Sequence, residues 1–274
     1  MTFKTITVHC DADKSLDQRL GITVDIAGKF HSHLVGLYVR PPFQPPIYFD
    51  GSFVADDLYR IHEETCAANQ KIALSAFAAA TEGRNIAVEQ KVAHGLVDKE
   101  IVKCARYSDL MVLGQINSDM PAVTPRDLPE VVALSSGKPA LVVPYVSVRR
   151  PIGNNVVLCW NNSRESARAA SDALPFLEAA DKVTVLSFRS NESEDTGAQK
   201  ASKWLLNHGI KATVVEETAA GVDVGDLILS RASDLGADLI VMGIYGHTRV
   251  HEMMLGGASR TLLRSMTVPV LMSH

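Results

Sequence analysis

Four glycines near the end of the chain are spaced as a ligand-binding loop would need them. They are Gly243, Gly246, Gly256 and Gly257, and they follow an apolar run that begins at Asp238. Glycine lets the backbone come close to a ligand, and the unpaired N–H groups at a helix start attract an anion. The pattern therefore predicts an anion site. The alternative is that these glycines only turn the chain and ease helix–sheet packing, since the spacing matches neither GxxxxGK[ST] nor GxGxxG.

Three polar residues of the same stretch are candidates for contacts with that anion. His247 and Arg249 lie between the glycines, where their side chains could donate to a phosphate, and Ser259 follows the last glycine. His247 and His251 are also four residues apart, which would suit a metal on a helix, but no third ligand beyond Glu252 is evident. We therefore predict no metal site.

Short apolar runs alternate with helical patterns along the whole chain, which predicts βαβ units and parallel sheets. The predicted strands are Thr5–Cys10, His33–Val39, Ile86–Val92, Asp109–Leu113, Ala140–Val143, Asn155–Trp160, Lys182–Ser187, Lys211–Glu216, Asp238–Met242 and Val268–Met272. Ser163 is predicted to begin one helix, and Asp56–Glu82 to form a long one. The apolar face of the long helix is predicted to hold Leu58, Ile61, Ile72 and Phe77. Trp160 and Trp204 are interpreted as core or domain-interface aromatics rather than stacking platforms.

The pattern of the first half is repeated in the second. The run Asp109–Gly114 recurs as Asp238–Gly243, 129 residues later. The next predicted strand of the first half recurs in the second half 130 residues later. Two matches at nearly one offset indicate a duplication. We predict one domain in residues 1–147 and another in residues 151–274, with much of the extra length of the first in the proline-rich segment Pro41–Gly51.

Composition excludes several classes of protein. The 274 residues include 27 basic and 31 acidic side chains, a net charge of −4, so no basic surplus exists to hold nucleic acid or anionic lipid. No apolar run approaches the ~20 residues of a membrane span, and the first residues do not resemble a signal peptide. The four cysteines have no CxxC spacing, which favours reduced thiols. We therefore predict a cytoplasmic protein without nucleic-acid or membrane partners.

The spacing Gly243-x2-Gly246-x9-Gly256, after one strand and before a helix and a final strand, resembles the ATP-binding signature of the universal stress proteins. The resemblance covers the whole chain as two tandem copies, and the turn from Asn161 to Ser163 is similar to the family's first turn. It implies an α/β fold of two tandem parallel five-stranded sheets, each in the order 3-2-1-4-5 with helices on both faces, flavodoxin- or Rossmann-like. It also implies a ligand crevice where the strand order switches.

The family's ligand is implied to be ATP or a related adenine nucleotide, with or without Mg²⁺ and without flavin, in the second half of the chain. Two residues depart from the family's pattern: Asn161 stands where an aspartate is expected, and Gly257 stands where Ser or Thr is expected. Asn161 can still hydrogen-bond a base or ribose, and Gly257 keeps its N–H for a phosphate.

The first half departs from the pattern further. No glycine follows Gly114 at the required spacing, and prolines stand with Asp119 and Asp127 where phosphates would bind. Asp11 matches the family's aspartate, but it is the only match there. We therefore predict a degenerate first domain that binds no nucleotide.

Together these patterns predict a stress-response protein that binds ATP in its second half as a regulatory or signalling module. No nucleophile elbow or carboxylate pair is evident, so any ATP hydrolysis should be slow and incidental. The alternatives are a structural or interaction protein with both sites lost, and an enzyme of the same sheet class. Because the family's last strand helps to form its dimer, Ala140–Val143 and Val268–Met272 are expected to pair the halves as an intrachain pseudo-dimer. A homodimer and an unidentified protein partner are left open.

Overall fold

The computed structural model describes residues 2–44, 52–116, 124–148, 150–189, 191, 193–219, 221–244 and 257–274. The strands in these residues are β1 Thr5–His9, β2 His33–Arg40, β3 Val88–His94, β4 Leu110–Gly114, β5 Ala140–Val143, β6 Asn155–Cys159, β7 Lys182–Arg189, β8 Ala212–Thr218, β9 Leu239–Gly243 and β10 Val270–Ser273. The helices are α1 Leu16–Phe30, α2 Ser52–Thr81, α3 Val97–Ala105, α4 Leu128–Ser135, α5 Arg164–Asp172, α6 Leu174–Glu178, α7 Ala198–Asn207, α8 Val224–Asp234 and α9 Gly257–Ser265. Each predicted strand is confirmed to within two residues at either end.

The strands form one mixed sheet of ten, in the order β3-β2-β1-β4-β5-β10-β9-β6-β7-β8. Each half has the predicted order 3-2-1-4-5 with parallel pairing, but the prediction of two separate sheets is wrong. The sheets merge because β5 and β10 pair antiparallel, with Ala140 opposite Met272 and Val142 opposite Val270. This pairing confirms the expected junction of the halves, and it covers a strand edge that each half would otherwise expose.

The core lies on both faces of this sheet and runs through both halves of the chain. Successive residues of a strand point to opposite faces, so Val112 belongs to one apolar layer and Leu113 to the other. On the first face Phe3, Phe30 and Phe176 pack together with ring centroids 5.3 to 5.5 Å apart. Phe176 belongs to α6 of the second half, so the halves share this core.

The repeated aspartates before β4 and β9 have one structural role in both halves. Asp109 accepts hydrogen bonds from the backbone N–H groups of Lys4 and Thr5, at 2.7 and 2.9 Å. Asp238 accepts from the three amides of residues 153–155, at 2.8 to 3.2 Å. Each aspartate therefore fixes the start of the central strand, β1 or β6, and this explains why the duplicated run begins with Asp.

The long helix α2 is confirmed, but its predicted apolar face is wrong. Phe77 is buried, whereas Ile61 and Ile72 are more than half exposed. The buried side instead includes the small residues Cys66 and Ala73, which allow the helix to approach the sheet closely. The end of the proline-rich segment, residues 45–51, lies outside the described residues.

The buried side chain of Gln115 joins the two halves after β4. Its Nε2 donates to the carbonyl oxygens of Leu263 and Arg264 on α9, at 2.9 and 3.2 Å, and its Oε1 accepts from the backbone N–H of Tyr145. Because sheet and core are continuous, the division into domains 1–147 and 151–274 stays a prediction. Among the helices described, none has both the length and the apolar character to cross a membrane.

Candidate functional site

A cavity of about 800 Å³ lies at the carboxyl ends of the parallel strands in the second half of the chain. Its walls come from the ends of β6, β7 and β9 and from the starts of α8 and α9. β6 and β9 are neighbours in the sheet although β7 and β8 separate them in sequence, so the strand order switches here. Open α/β sheets bind their ligands at such a point.

The structure brings half of the predicted site residues to this cavity. Its lining includes Asn161, Gly243, Gly257 and Ser259. The remaining predicted residues are Gly246, His247, Arg249 and Gly256, and they lie outside the described residues, as do His251 and Glu252. The four residues that are described come from the end of one strand, the turn after another and the start of a helix, which only the fold brings together.

The turn after β6 presents the side chain of Asn161 at the mouth of the cavity. Its Oδ1 accepts a hydrogen bond of 3.3 Å from the backbone N–H of Ser163, while Asn162 takes a left-handed conformation with φ 58°. Ser163 caps α5, as predicted, through a reciprocal pair of 3.1 Å bonds with Ser166. In the described part of the chain the amide nitrogen of Asn161 makes no hydrogen bond, so it can donate to a ligand.

Gly243 ends β9 where α5 crosses directly above it. A Cβ at this position would overlap the backbone of Glu165 and Ser166. The absence of a side chain at Gly243 is thus required by helix–sheet packing, the alternative that the sequence left open for these glycines. The same close approach brings α5 against the end of β9.

Close packing of α8 against α9 sets the position of the first residues of α9. A Cβ on Gly225 would come within 2.8 Å of the carbonyl oxygen of Ala258, so the two helices meet at that glycine. Asp223 caps α8 by accepting from the amide of Gly225 at 2.8 Å. Its other oxygen, Oδ2, lies 3.3 Å from where a Cβ on Gly257 would be. A carboxylate therefore stands beside the first residues of α9.

The described lining of the cavity is acidic. Glu194, Asp195 and Asp223 belong to it, and no lysine, arginine or histidine does among the residues described. Asp195 pairs with Lys200 at 2.8 Å, and this hydrogen bond lowers the pKa of the Asp195 carboxyl. No cluster of three or more metal-ligating side chains occurs among the residues the structure covers. Among the described lining residues, only backbone N–H groups and neutral side chains such as that of Ser259 can donate to an anion.

Several lining residues have no counterpart in the sequence prediction. Trp160 packs against the core, as predicted, but it also lines the cavity, and its buried Nε1 has no hydrogen-bond partner in the described part of the chain. Phe188 lines the cavity from the end of β7. Its position at the carboxyl end of a predicted parallel strand could have indicated this, since open α/β sheets bind ligands at those ends. Nothing in the sequence pointed to Thr196. Cys159 is a lining residue whose pKa burial raises to about 12, so its thiol stays protonated.

The corresponding place in the first half is filled by the chain itself. Arg19 of α1 is 2% exposed, and its guanidinium forms an ion pair with Asp11, the counterpart of Asn161. A Cβ on Gly114, the counterpart of Gly243, would overlap Nη1 of Arg19. Burial alone would raise the pKa of Asp11, but the positive charge of Arg19 brings it below its usual value. The opposite charges of Arg19 and Asp11 therefore neutralise each other in this crevice, while Nε of Arg19 has no hydrogen-bond partner in the described part of the chain.

Comparisons with known proteins agree with this architecture. The model of the universal stress protein family matches residues 154–274. The fold is similar to that of a universal stress protein from Archaeoglobus fulgidus DSM 4304, with a TM-score of 0.73 and 18% identity over 98% of this chain and 95% of that one. A protein from Pseudomonas aeruginosa UCBPP-PA14, described as a putative universal stress protein, has a TM-score of 0.58 and 18% identity over 99% of this chain and 93% of that one. No curated protein sequence matches the chain.

Proposed function

Because the model of the universal stress protein family matches residues 154–274, we propose that this half of the chain binds an adenine nucleotide, ATP or a close relative. The observation that carries the proposal is the cavity of about 800 Å³ at the switch point between β6 and β9, beside the start of α9. Small-molecule sites typically have volumes of roughly 300–1,000 Å³. The protein then acts in the cytoplasm as a regulatory and signalling module in stress responses, not as a metabolic enzyme.

The phosphates are assigned to the start of α9. Gly257 and Ala258 contribute backbone N–H groups that α9 cannot satisfy internally, and the helix dipole favours an anion there. Asp223 would repel an unaccompanied phosphate at this place. Mg²⁺ commonly binds one or two protein carboxylates together with substrate phosphates, so Asp223 is suited to share a Mg²⁺ with ATP.

The nucleoside is assigned to the strand side of the cavity. Trp160, Leu186 and Phe188 supply apolar surface for the base. Asn161 has a free amide N–H₂ that can donate to the base or the ribose, which compensates in part for the missing carboxylate. The site thereby separates an apolar region for the base from the backbone donors that hold the phosphates.

One nucleotide is expected for each chain, because the Arg19–Asp11 ion pair fills the corresponding place in the first half. Residues 1–147 are then a degenerate domain whose contribution is structural, and residues 151–274 form the binding domain. Isothermal titration calorimetry of the full chain with ATP and Mg²⁺ gives the number of sites directly. A stoichiometry near two would contradict the assignment of the first half.

Two valines of similar exposure, one lining the cavity and one outside it, test the location of the site. Val222 lines the cavity and is 52% exposed, and Val88 of β3 is 47% exposed and lies in the other half. Val222→Glu adds a negative charge near the triphosphate, and we expect the Kd for ATP to rise about tenfold, the effect of ~1.4 kcal/mol of repulsion. Val88→Glu makes the same change elsewhere and should leave the Kd unchanged.

The outcomes separate the proposal from its rival. Equal affinities for Val222→Glu and the parent would show that ATP binds elsewhere. No heat from the parent at millimolar ATP and Mg²⁺ would overturn nucleotide binding and favour a structural or interaction protein. Thermal unfolding of both variants supplies the control for folding, since neither valine is buried.

A further inference from the structure

A second cavity, of about 400 Å³, lies between the two halves of the chain and takes no part in the proposed nucleotide site. The first half contributes residues after β4 and β5 and the start of α4, and the second half contributes one face of α9. The lining consists of Ile116, Arg126, Asp127, Pro129, Glu130, Tyr145, Arg260, Leu263 and Arg264. We refer to it as the junction cavity.

Three arginines line the junction cavity without forming ion pairs. Arg260 and Arg264 are one helical turn apart on α9, and Arg126 comes from the segment that leads into α4. Arg150, for example, pairs with Asp25 at 2.5 Å, but these three arginines, like Arg84 and Arg106 elsewhere on the surface, have no acidic partner within 4 Å in the described part of the chain. All three are exposed, and like charges at positions i and i+4 of a helix repel each other, so an anion bound between Arg260 and Arg264 would relieve that repulsion.

The acidic residues of the junction cavity do not cancel this charge. Glu130 has one carboxylate oxygen that is buried without a hydrogen-bond partner among the described residues. Burial raises the pKa of Glu130 above its usual value, and the positive charge of Arg260 opposes that shift. Asp127 precedes α4 and is exposed. Three positive charges thus face two acidic side chains, which leaves a positive surplus at the junction cavity.

We propose that the junction cavity binds a small organic phosphate. The guanidinium group forms paired hydrogen bonds with phosphate oxygens, and three such groups from two halves of the chain surround one volume. The apolar side chains of Ile116, Pro129 and Leu263 form a wall that suits the organic part of the ligand. The ligand would contact α4 and α9 together, so it would stabilise the junction of the two halves.

Phenyl phosphate is a suitable probe because it combines both features. We expect calorimetry to detect its binding to the full chain, with inorganic phosphate binding more weakly and phenol not at all. Arg260→Gln combined with Arg264→Gln removes two donors and should raise the Kd for phenyl phosphate at least about tenfold. Arg126→Gln removes the arginine that the first half contributes and should also weaken the binding of phenyl phosphate. It serves as the second variant if the Arg260/Arg264 double variant folds poorly.

The controls exclude general charge effects and the other cavity. Arg84→Gln combined with Arg106→Gln removes two exposed arginines outside the junction cavity and should leave binding unchanged. Val222→Glu should weaken the binding of ATP and leave the binding of phenyl phosphate unchanged, because the two cavities are separate. The proposal is overturned if the parent does not bind phenyl phosphate at millimolar concentration, if the Arg260/Arg264 variant binds as well as the parent, or if Val222→Glu abolishes binding.

Discussion

His9 is a buried, neutral base, and we predict that it makes the protein less stable in mild acid. It ends β1, its side chain is 4% exposed, and its Nδ1 lies 3.6 Å from Oδ2 of Asp11. Burial lowers the pKa of His9 from 6.5 to about 4; the charge of Asp11 opposes this shift and that of Arg19 adds to it. At pH 5 the folded protein therefore keeps His9 neutral, whereas the unfolded chain protonates it.

The size of the effect follows from these two pKa values. As the pH falls below 6.5, the unfolded chain gains a proton that the folded protein does not accept until about pH 4, so the free energy of unfolding decreases. Linkage gives a loss of about 2 kcal/mol from His9 alone between pH 7 and pH 5. Asp11 adds little in this window, because its pKa lies below its ordinary value of 3.8 and its contribution is lost only in stronger acid.

Urea unfolding of the parent and of His9→Gln at pH 7 and pH 5 measures this loss. The variant keeps a polar side chain of similar size but cannot titrate, so the parent should lose about 2 kcal/mol more than the variant between the two pH values. His94→Gln replaces an exposed histidine at the end of β3 and is the control for substitution of a histidine. The comparison uses the change with pH, so a lower overall stability of His9→Gln does not affect it.

Equal losses for the parent and His9→Gln would refute the reasoning. An NMR titration of the His9 imidazole in the parent is an independent measurement that needs no variant. A pKa near 6.5 in the folded protein would show that the buried site does accept the proton, and the predicted pH dependence would then be wrong.

Two further predictions concern aspartates with defined contacts. Asp238→Ala should lower the free energy of unfolding by about 3 kcal/mol, and Asp109→Ala by less, because Asp238 accepts from three backbone amides and Asp109 from two. Urea unfolding of both variants checks the order, and a larger loss at Asp109 would contradict it. Asp223→Asn keeps a good helix cap and should weaken ATP binding with Mg²⁺ but strengthen it in EDTA. Calorimetry under both conditions measures this, and a change in the same direction in both would exclude a shared Mg²⁺.

Much of the secondary structure can be read from local patterns. Ten runs of strand length, separated by helical segments, were enough to locate the ten strands, because central strands such as β4 and β5, which are buried on both faces, are almost wholly apolar. The repetition of the Asp109 run as the Asp238 run is equally visible. The structure supplies its reason, because each aspartate accepts hydrogen bonds from backbone N–H groups at the start of the first strand of its half. The prediction for α2 was less successful, since the spacing of Ile61 and Ile72 does not reveal which face of a helix meets the sheet.

The candidate site was only partly predictable. Asn161, Gly243, Gly257 and Ser259 follow from the motif and do meet at one cavity. Asp223 and Phe188 do not belong to the motif, because they reach the cavity from other strand ends and another helix start. Glycine spacing likewise cannot distinguish ligand approach from packing, and at Gly243 the crossing of α5 shows that packing is required.

By itself, the sequence determined the class of fold, the duplication and the inequality of the two halves, because apolar periodicity, repeated motifs and missing glycines are local features. Only the tertiary structure decided that the two sheets are one, that Arg19 occupies the crevice of the first half, and that three arginines meet at the junction of the halves. The physical reason is that strand pairing, burial of charge and cavities depend on contacts between residues far apart in the chain, and no local pattern records which of them will meet.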